Sequence, residues 1–321
     1  MNRYQRQTIL PEVGAHGQKC LSEARVLIVG AGGLAAPVLQ LLAGAGLGHL
    51  TIVDGDVVAL SNLHRQTLFS ETDCGRPKAQ VAAERCRAIN SEITTNVLEQ
   101  ALTPYIAPEL VADSDVVLDC ADSYAASYTL SDVCFTLKKP LISASALGLS
   151  GYVGGFCGGS PSLRALFPDA PDTLASCATV GVLGPVVSMI GAMQAQMALN
   201  KLLSFDPSPL GQLVQFDART GRSTVFRFDD APEPERYFSF VSANQMSERD
   251  QIIELRDTLE APVPIHPSAA RISVGELQKL APKQGQRLVL CCATGLRAWR
   301  AAESVQSIWS AEIVLAAASA L

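Results

Sequence analysis

Between positions 30 and 122 the chain carries a set of residues whose types and spacing suit the binding of a nucleotide. The run GAGGLA at 30–35 fits the pattern G-x-G-x-x-G/A. In it Gly30 would make a tight turn, Gly32 with Gly33 would let backbone approach a phosphate, and Ala35 would let a helix pack closely. Asp54, 22 residues past Gly32, is spaced to accept hydrogen bonds from ribose hydroxyls. To this point an NAD-dependent oxidoreductase fits equally well. Asn62, Arg65, Gln66 and Lys78 then follow in one polar stretch. A dinucleotide pyrophosphate needs only backbone amides and a helix amino terminus. ATP attacked at its α-phosphate must instead have its β- and γ-phosphates held and neutralised as they leave, which Arg and Lys can do. Read blandly, the stretch is a solvated loop. Asp119 and Asp122 in DCADSY complete the set. A carboxylate there suits Mg²⁺, which takes one or two carboxylates and fills its shell with substrate oxygens; Asp119 also reads as a turn cap.

The elements that must position these residues alternate along the chain. ARVLIVG at 24–30 is a short β-branched run stopped by glycine, hence a buried strand. A helix is expected from Ala35 to Gly46 and a strand over 49–54, which together make a βαβ unit. A helix over 77–90 and strands near 94–98, 115–120 and 140–145 extend the pattern. The expected fold is α/β, with a Rossmann-like, mostly parallel sheet covered by helices on both faces. GYVGGFCGG at 151–159 reads as a strand closely approached by other backbone, and 158–176 as a long crossing loop. A long helix over 185–203 and strands near 212–217 and 222–228 follow. DDAPEPE at 229–235 is acidic and proline-rich, hence a linker. The resulting division is residues 1–228, a linker at 229–236, and a small unit at 237–321.

A length of 321 residues suits two domains at roughly 150 residues each. With 48% hydrophobic residues and a mean hydropathy of +0.21, the chain can bury both cores and an interface. A net charge of −6 argues against nucleic acid as a partner, since no basic field collects phosphates. The apolar stretch 180–203 is broken by Gly184, Pro185 and Gly191, and MNRYQRQ lacks a signal-peptide core. No membrane association is expected. Nine scattered cysteines form no secreted disulfide framework, and the cytoplasm is the expected compartment.

Taken together, RYQRQ, GAGGLA, VDGDVVALSNLHRQ, GRPK, DCADS and SCATVGVLGPVVSMIGAMQAQ resemble the ThiF/MoeB/HesA family of ubiquitin-activating-like adenylyltransferases. The match runs from Arg3 to about Phe228. The resemblance implies ATP-dependent adenylation of the carboxy-terminal glycine of a small β-grasp sulfur-carrier protein ending in Gly-Gly. It implies that Asp54 and Asp56 hold the adenosine side, that Asn62, Arg65, Gln66 and Lys78 contact phosphates, and that Asp122 coordinates Mg²⁺. Arg6 would reach the ATP of the opposite subunit, which makes the protein a homodimer. Cys177 matches a cysteine of sulfur-transferring relatives and is either a nucleophile or a structural thiol. One departure stands out. Many relatives bind zinc through two C-x-x-C pairs, but Ser162 and Ala165 occupy the first pair's positions and no cysteine lies between 177 and 291. No zinc site is expected, and the crossing loop would lose that staple.

The carboxy-terminal unit resembles a shortened rhodanese-like domain. RLVLCCATGLRA at 287–298 matches that family's active loop, and IIELRD at 252–257 its DVR strand, with Glu254 in place of Asp. Amides and the helix behind the loop would stabilise a thiolate or persulfide on Cys292. A cysteine desulfurase is then a further partner. The unit reads equally as a degenerate, structural domain; Cys291 could bond Cys292 only in a strained vicinal disulfide. Two other readings stand beside adenylation: a non-catalytic scaffold for a β-grasp protein, and the NAD-dependent oxidoreductase.

Overall fold

The structure is a computed structural model and describes residues 3–170, 180–280 and 285–318. Strands β1 (Arg25–Val29), β2 (His49–Val53), β3 (Thr94–Leu98), β4 (Val116–Asp119) and β5 (Pro140–Leu147) run parallel. Strands β6 (Ser150–Cys157), β7 (Gln212–Asp217) and β8 (Arg222–Arg227) continue the same sheet antiparallel. The spatial order is β3-β2-β1-β4-β5-β6-β7-β8.

Strand side chains alternate between faces, so a strand buried on both sides must be apolar throughout. In β1, Val26 and Ile28 enter one core while Leu27 and Val29 enter the other. The first core is covered by α3 (Ala35–Ala45), α4 (Lys78–Ile89) and α8 (Gly184–Leu202), the second by α5 (Ala107–Ala112) and α6 (Tyr124–Thr136). Covering on both faces stops short of the far edge, where β8 is exposed at every position. Short helices α1 (Gln5–Thr8) and α2 (Gly14–Glu23) precede β1. Neither they nor the Ala107–Ala112 and Tyr124–Thr136 helices stand out in the sequence by apolar periodicity.

The crossing segment after β6 contains a one-turn helix, α7 (Leu163–Leu166), and is fastened despite the missing cysteines. Glu233 accepts hydrogen bonds from Ser162 N at 2.7 Å and Ser162 Oγ at 2.6 Å. Arg164, 2% exposed, forms a two-pronged pair with Asp132 at 2.6 and 2.9 Å and donates to Phe238 O. The acidic segment after β8 is thus tied to the larger sheet through Glu233.

A second sheet is wholly parallel, in the order β10 (Ala270–Arg271), β9 (Gln251–Glu254), β11 (Leu288–Cys292), β12 (Ile313–Ala317). Trp299, on the helix Leu296–Val305 after β11, packs on Tyr128 of α6 with ring centroids 5.3 Å apart. The Arg164 guanidinium lies 4.5 Å from the Tyr128 ring centre and 5.6 Å from that of Trp299. Among the described residues no helix is long and apolar enough to cross a membrane.

Candidate active site

Strand order reverses between β1 and β4: the chain fills β2 and β3 on one side and β4 and β5 on the other. At such a switch point the loops leave the carboxyl edge in opposite directions and open a crevice. A cleft of about 360 Å³ lies there, lined by Gly30, Gly32, Gly33, Asp54, Asp56, Arg65, Gln66, Lys78 and Asp122. Residues scattered over more than ninety positions therefore meet in one place.

Gly30 has φ +90, and a Cβ on it would stand 2.7 Å from the Cys120 carbonyl oxygen. The turn can pass between β1 and β4 only as glycine. A Cβ on Gly33 would stand 2.7 Å from Val187 of α8, and one on Gly32 would face Gln66 Nε2 at 3.5 Å. Asp54 Oδ2 accepts from Ala31 N at 2.6 Å and Oδ1 from Asp56 N at 2.7 Å. The carboxylate braces the glycine turn and keeps further lone pairs for hydroxyl donors. Burial raises its pKa, opposed by those backbone bonds.

Lys78 opens α4 just after Pro77 and is 6% exposed. Its Nζ lies 2.8 Å from Asp56 Oδ2, and its backbone N donates to Asp56 O at 2.9 Å. Arg65 donates from Nη1 to Ser61 O at 3.2 Å and lies 2.9 Å from His64 Nε2; it meets no carboxylate among the described residues. Gln66 is 4% exposed, and its Oε1 is a buried polar atom with no partner. A buried, unpaired amide beside two cations in an open cleft fits a site that gains its remaining hydrogen bonds from a ligand.

Asp122 is exposed on the cleft wall, and the described residues contain no group of three or more metal-ligand side chains. A lone carboxylate in a cleft can serve Mg²⁺ only as one ligand among substrate oxygens. Asp119 behaves as a turn cap. It is 1% exposed, accepting from Ser143 Oγ at 2.8 Å and Ala121 N at 3.2 Å, and burial lifts its pKa to about 6.

Other expected site residues lie elsewhere. Asn62 does not line the cleft; its Oδ1 accepts from Ala59 N at 3.3 Å and caps the 3₁₀ turn Leu60–Asn62. Arg6 is exposed on Gln5–Thr8 and also does not line the cleft. Cys177 falls outside the described residues. Cys292 belongs to the second sheet, where its Sγ accepts from Gly295 N at 3.0 Å and Ala298 N at 3.4 Å. Glu254 is fully buried and bonds Arg256 Nε and Nη2 as well as Ile265 N, so the longer acid is accommodated beside β11. Several cleft residues escaped the sequence reading: Ala101, Leu102, Ser123, Ser145 and Val187. For Ser145 the signal was its place at the carboxyl end of the fifth strand; Val187 comes from a distant helix and left none.

The ThiF family model matches residues 4–237. The bovine (Bos taurus) adenylyltransferase and sulfurtransferase MOCS3 is 45% identical over 224 residues, 69% of this chain and 49% of the relative. The maize (Zea mays) MOCS3-1 is 36% identical over 299 residues, covering 90% of this chain and 64% of the relative. The sulfur carrier protein ThiS adenylyltransferase of Escherichia coli is 41% identical over 225 residues, 68% of this chain and 88% of the relative. The chain thus spans about half to two thirds of the MOCS3 relatives it matches. In fold it resembles the crystal structure of E. coli MccB with ATP, at a TM-score of 0.63 and 23% identity over 72% of this chain and 73% of that one.

Proposed function

Because this chain belongs to the ThiF family, we propose that it is an ATP-dependent adenylyltransferase acting on the carboxy-terminal glycine of a small β-grasp sulfur-carrier protein. The observation that carries this reading is the convergence of the Gly30–Gly33 turn, Asp54, Arg65, Lys78 and Asp122 on one cleft. In the reaction the glycine carboxylate oxygen attacks the α-phosphorus; the new O–P bond forms as the bond to the β-phosphate breaks, and pyrophosphate leaves. Asp54 accepts from the ribose, while Asp56 faces the adenosine side. Arg65 and Lys78 hold the departing phosphates and offset their charge. Gln66 orients them by hydrogen bonding. Mg²⁺ bound at Asp122 would neutralise further phosphate charge.

The finer assignments belong to the same proposal. Residues 1–228 form the adenylyltransferase domain, 229–236 the connection, and 237–321 a rhodanese-like domain. Cys292 is that domain's persulfide carrier, Cys177 a second candidate to receive sulfur, and a cysteine desulfurase the donor. Asn62 would have to turn from Ala59 to reach a phosphate. Arg6 acts across a homodimer, a reading supported by the exposed apolar side chains of Leu183 and Met189 at the start of α8. The cytoplasm suits its free thiols. The test is carrier-dependent exchange of labelled pyrophosphate into ATP, repeated with Arg6→Ala. No exchange with any Gly-Gly carrier sinks the activity. A monomeric protein, or failure of mixed dimers to rescue Arg6→Ala in part, sinks the role of Arg6 alone.

A further inference from the structure

The thiol of Cys292 is ready for chemistry in its bonding but not in its access. Its Sγ accepts from the Gly295 and Ala298 amides at the amino end of a ten-residue helix. Yet Cys292 is 2% exposed. Two rings from outside the active loop pack against Gly295, whose amide holds the sulfur. A Cβ on Gly295 would stand 2.6 Å from Phe240 Cε1 and 2.8 Å from Tyr124 Oη, so both rings press directly on the loop. The two rings meet edge to face at 5.9 Å, and Tyr124 also meets Trp299 at 6.4 Å. Tyr124 opens α6 of the larger sheet, while Phe240 lies on the segment leading into the smaller unit and pairs with Leu315 of β12. The Tyr124 hydroxyl is buried with no hydrogen-bond partner, so packing rather than a polar bond holds it there.

We propose that Tyr124 and Phe240 form an inhibitory seal over the Cys292 loop, and that sulfur enters or leaves Cys292 only when this pair of rings is displaced from the loop. To take up sulfur, Sγ must attack the outer sulfur of a persulfide donor in line, the new S–S bond forming as the donor's S–S bond breaks and its thiolate leaves, and a thiol under two packed rings offers no such path. Tyr124 directly follows Asp122 and Ser123, which line the nucleotide cleft. The seal therefore sits one residue from that cleft. This inference rests on the proposed function only for the role of Cys292; the seal itself is read from thiol reactivity alone.

The experiment is iodoacetamide labelling of the full chain, with each cysteine followed by peptide mass spectrometry. Exposed Cys74 gives the unhindered rate, and buried Cys134 and Cys291 report unfolding. In the unaltered protein Cys292 should label at least about tenfold more slowly than Cys74. Tyr124→Ala and, separately, Phe240→Ala should raise the Cys292 rate at least about tenfold while Cys134 and Cys291 stay protected. Tyr124→Phe, which keeps the ring, should leave it slow. Three results would overturn the seal: Cys292 as fast as Cys74 in the unaltered chain, no acceleration in either alanine variant, or acceleration only together with Cys291. Loss of pyrophosphate exchange in these variants would bear on the adenylation reading and not on the seal.

Discussion

Lys78 Nζ and Asp56 Oδ2 lie 2.8 Å apart, with the lysine side chain 8% exposed and the aspartate 75%. The cation is sunk into the cleft wall while its counter-ion stands at the rim. The buried charge is thereby held where an incoming phosphate can compete for it, and the aspartate can turn to solvent without a desolvation penalty.

Removing that cation should cost the reaction far more than removing its partner. Lys78→Ala and Asp122→Ala are each expected to lower carrier-dependent ATP–pyrophosphate exchange by about 10² or more. Asp56→Asn should act mainly on the KM for ATP. Full exchange in both alanine variants would refute the assignment of these groups to the phosphates.

Asp119 predicts a pH signature in stability. Burial raises its folded pKa from 3.8 to about 6, so the native state holds this proton more tightly than the unfolded chain. Its effect is absent below the unfolded value. It lowers stability as pH climbs from about 4 to 6 and is constant above, by on the order of 3 kcal/mol at most. Asp119→Asn should flatten that part of the profile in urea titrations at a series of pH values. An unchanged difference between variant and parent across pH 4–6 would remove Asp119 as the cause.

Arg164 and Asp132 form a nearly buried pair, 2.6 Å at closest approach, whose guanidinium also reaches Phe238 O and the rings of Tyr128 and Trp299. Arg164→Met strands a carboxylate in an apolar setting and should cost about 3–5 kcal/mol. Because this side chain touches both sheets, calorimetry should show one unfolding transition in the parent and two in the variant. A single transition in both would mean that other contacts join the sheets.

Glu233 and Ser162 hold the start of the crossing segment by hydrogen bonds of 2.7 and 2.6 Å. Glu233→Ala should therefore lower stability by about 1–2 kcal/mol, while a metal chelator should leave the melting temperature of the parent unchanged. Elemental analysis finding about one zinc per chain would contradict this and direct attention to other ligands.

Much of the nucleotide half was legible before folding. The strands at 25–29 and 49–53 and the helix at 35–45 follow from short apolar runs punctuated by glycine. Gly30 and Asp54 were identifiable because a fixed spacing places them at consecutive strand ends. Arg65, Gln66 and Lys78 stood out by density of charge and amide along a single stretch. The helix at 124–136 was less visible, since its buried residues run almost unbroken from Ala125 to Ser131, polar Thr129 and Ser131 among them, so no polar face repeats at helical spacing.

What the chain's own order determined, then, was local: which runs form strands, where a phosphate turn falls, and that cations follow it. Those are properties of neighbours in sequence, set by steric permission and by period. Tertiary structure alone decided that Asn62 caps its own turn and that Arg6 stands outside the cleft. It also decided that Gln66 is buried without a full set of partners, and that the loop around Cys292 lies under rings contributed from positions 124 and 240. Burial and occlusion are made by segments distant in sequence, so no spacing along the chain records them. A thiol can carry every local mark of reactivity while another part of the same molecule covers it.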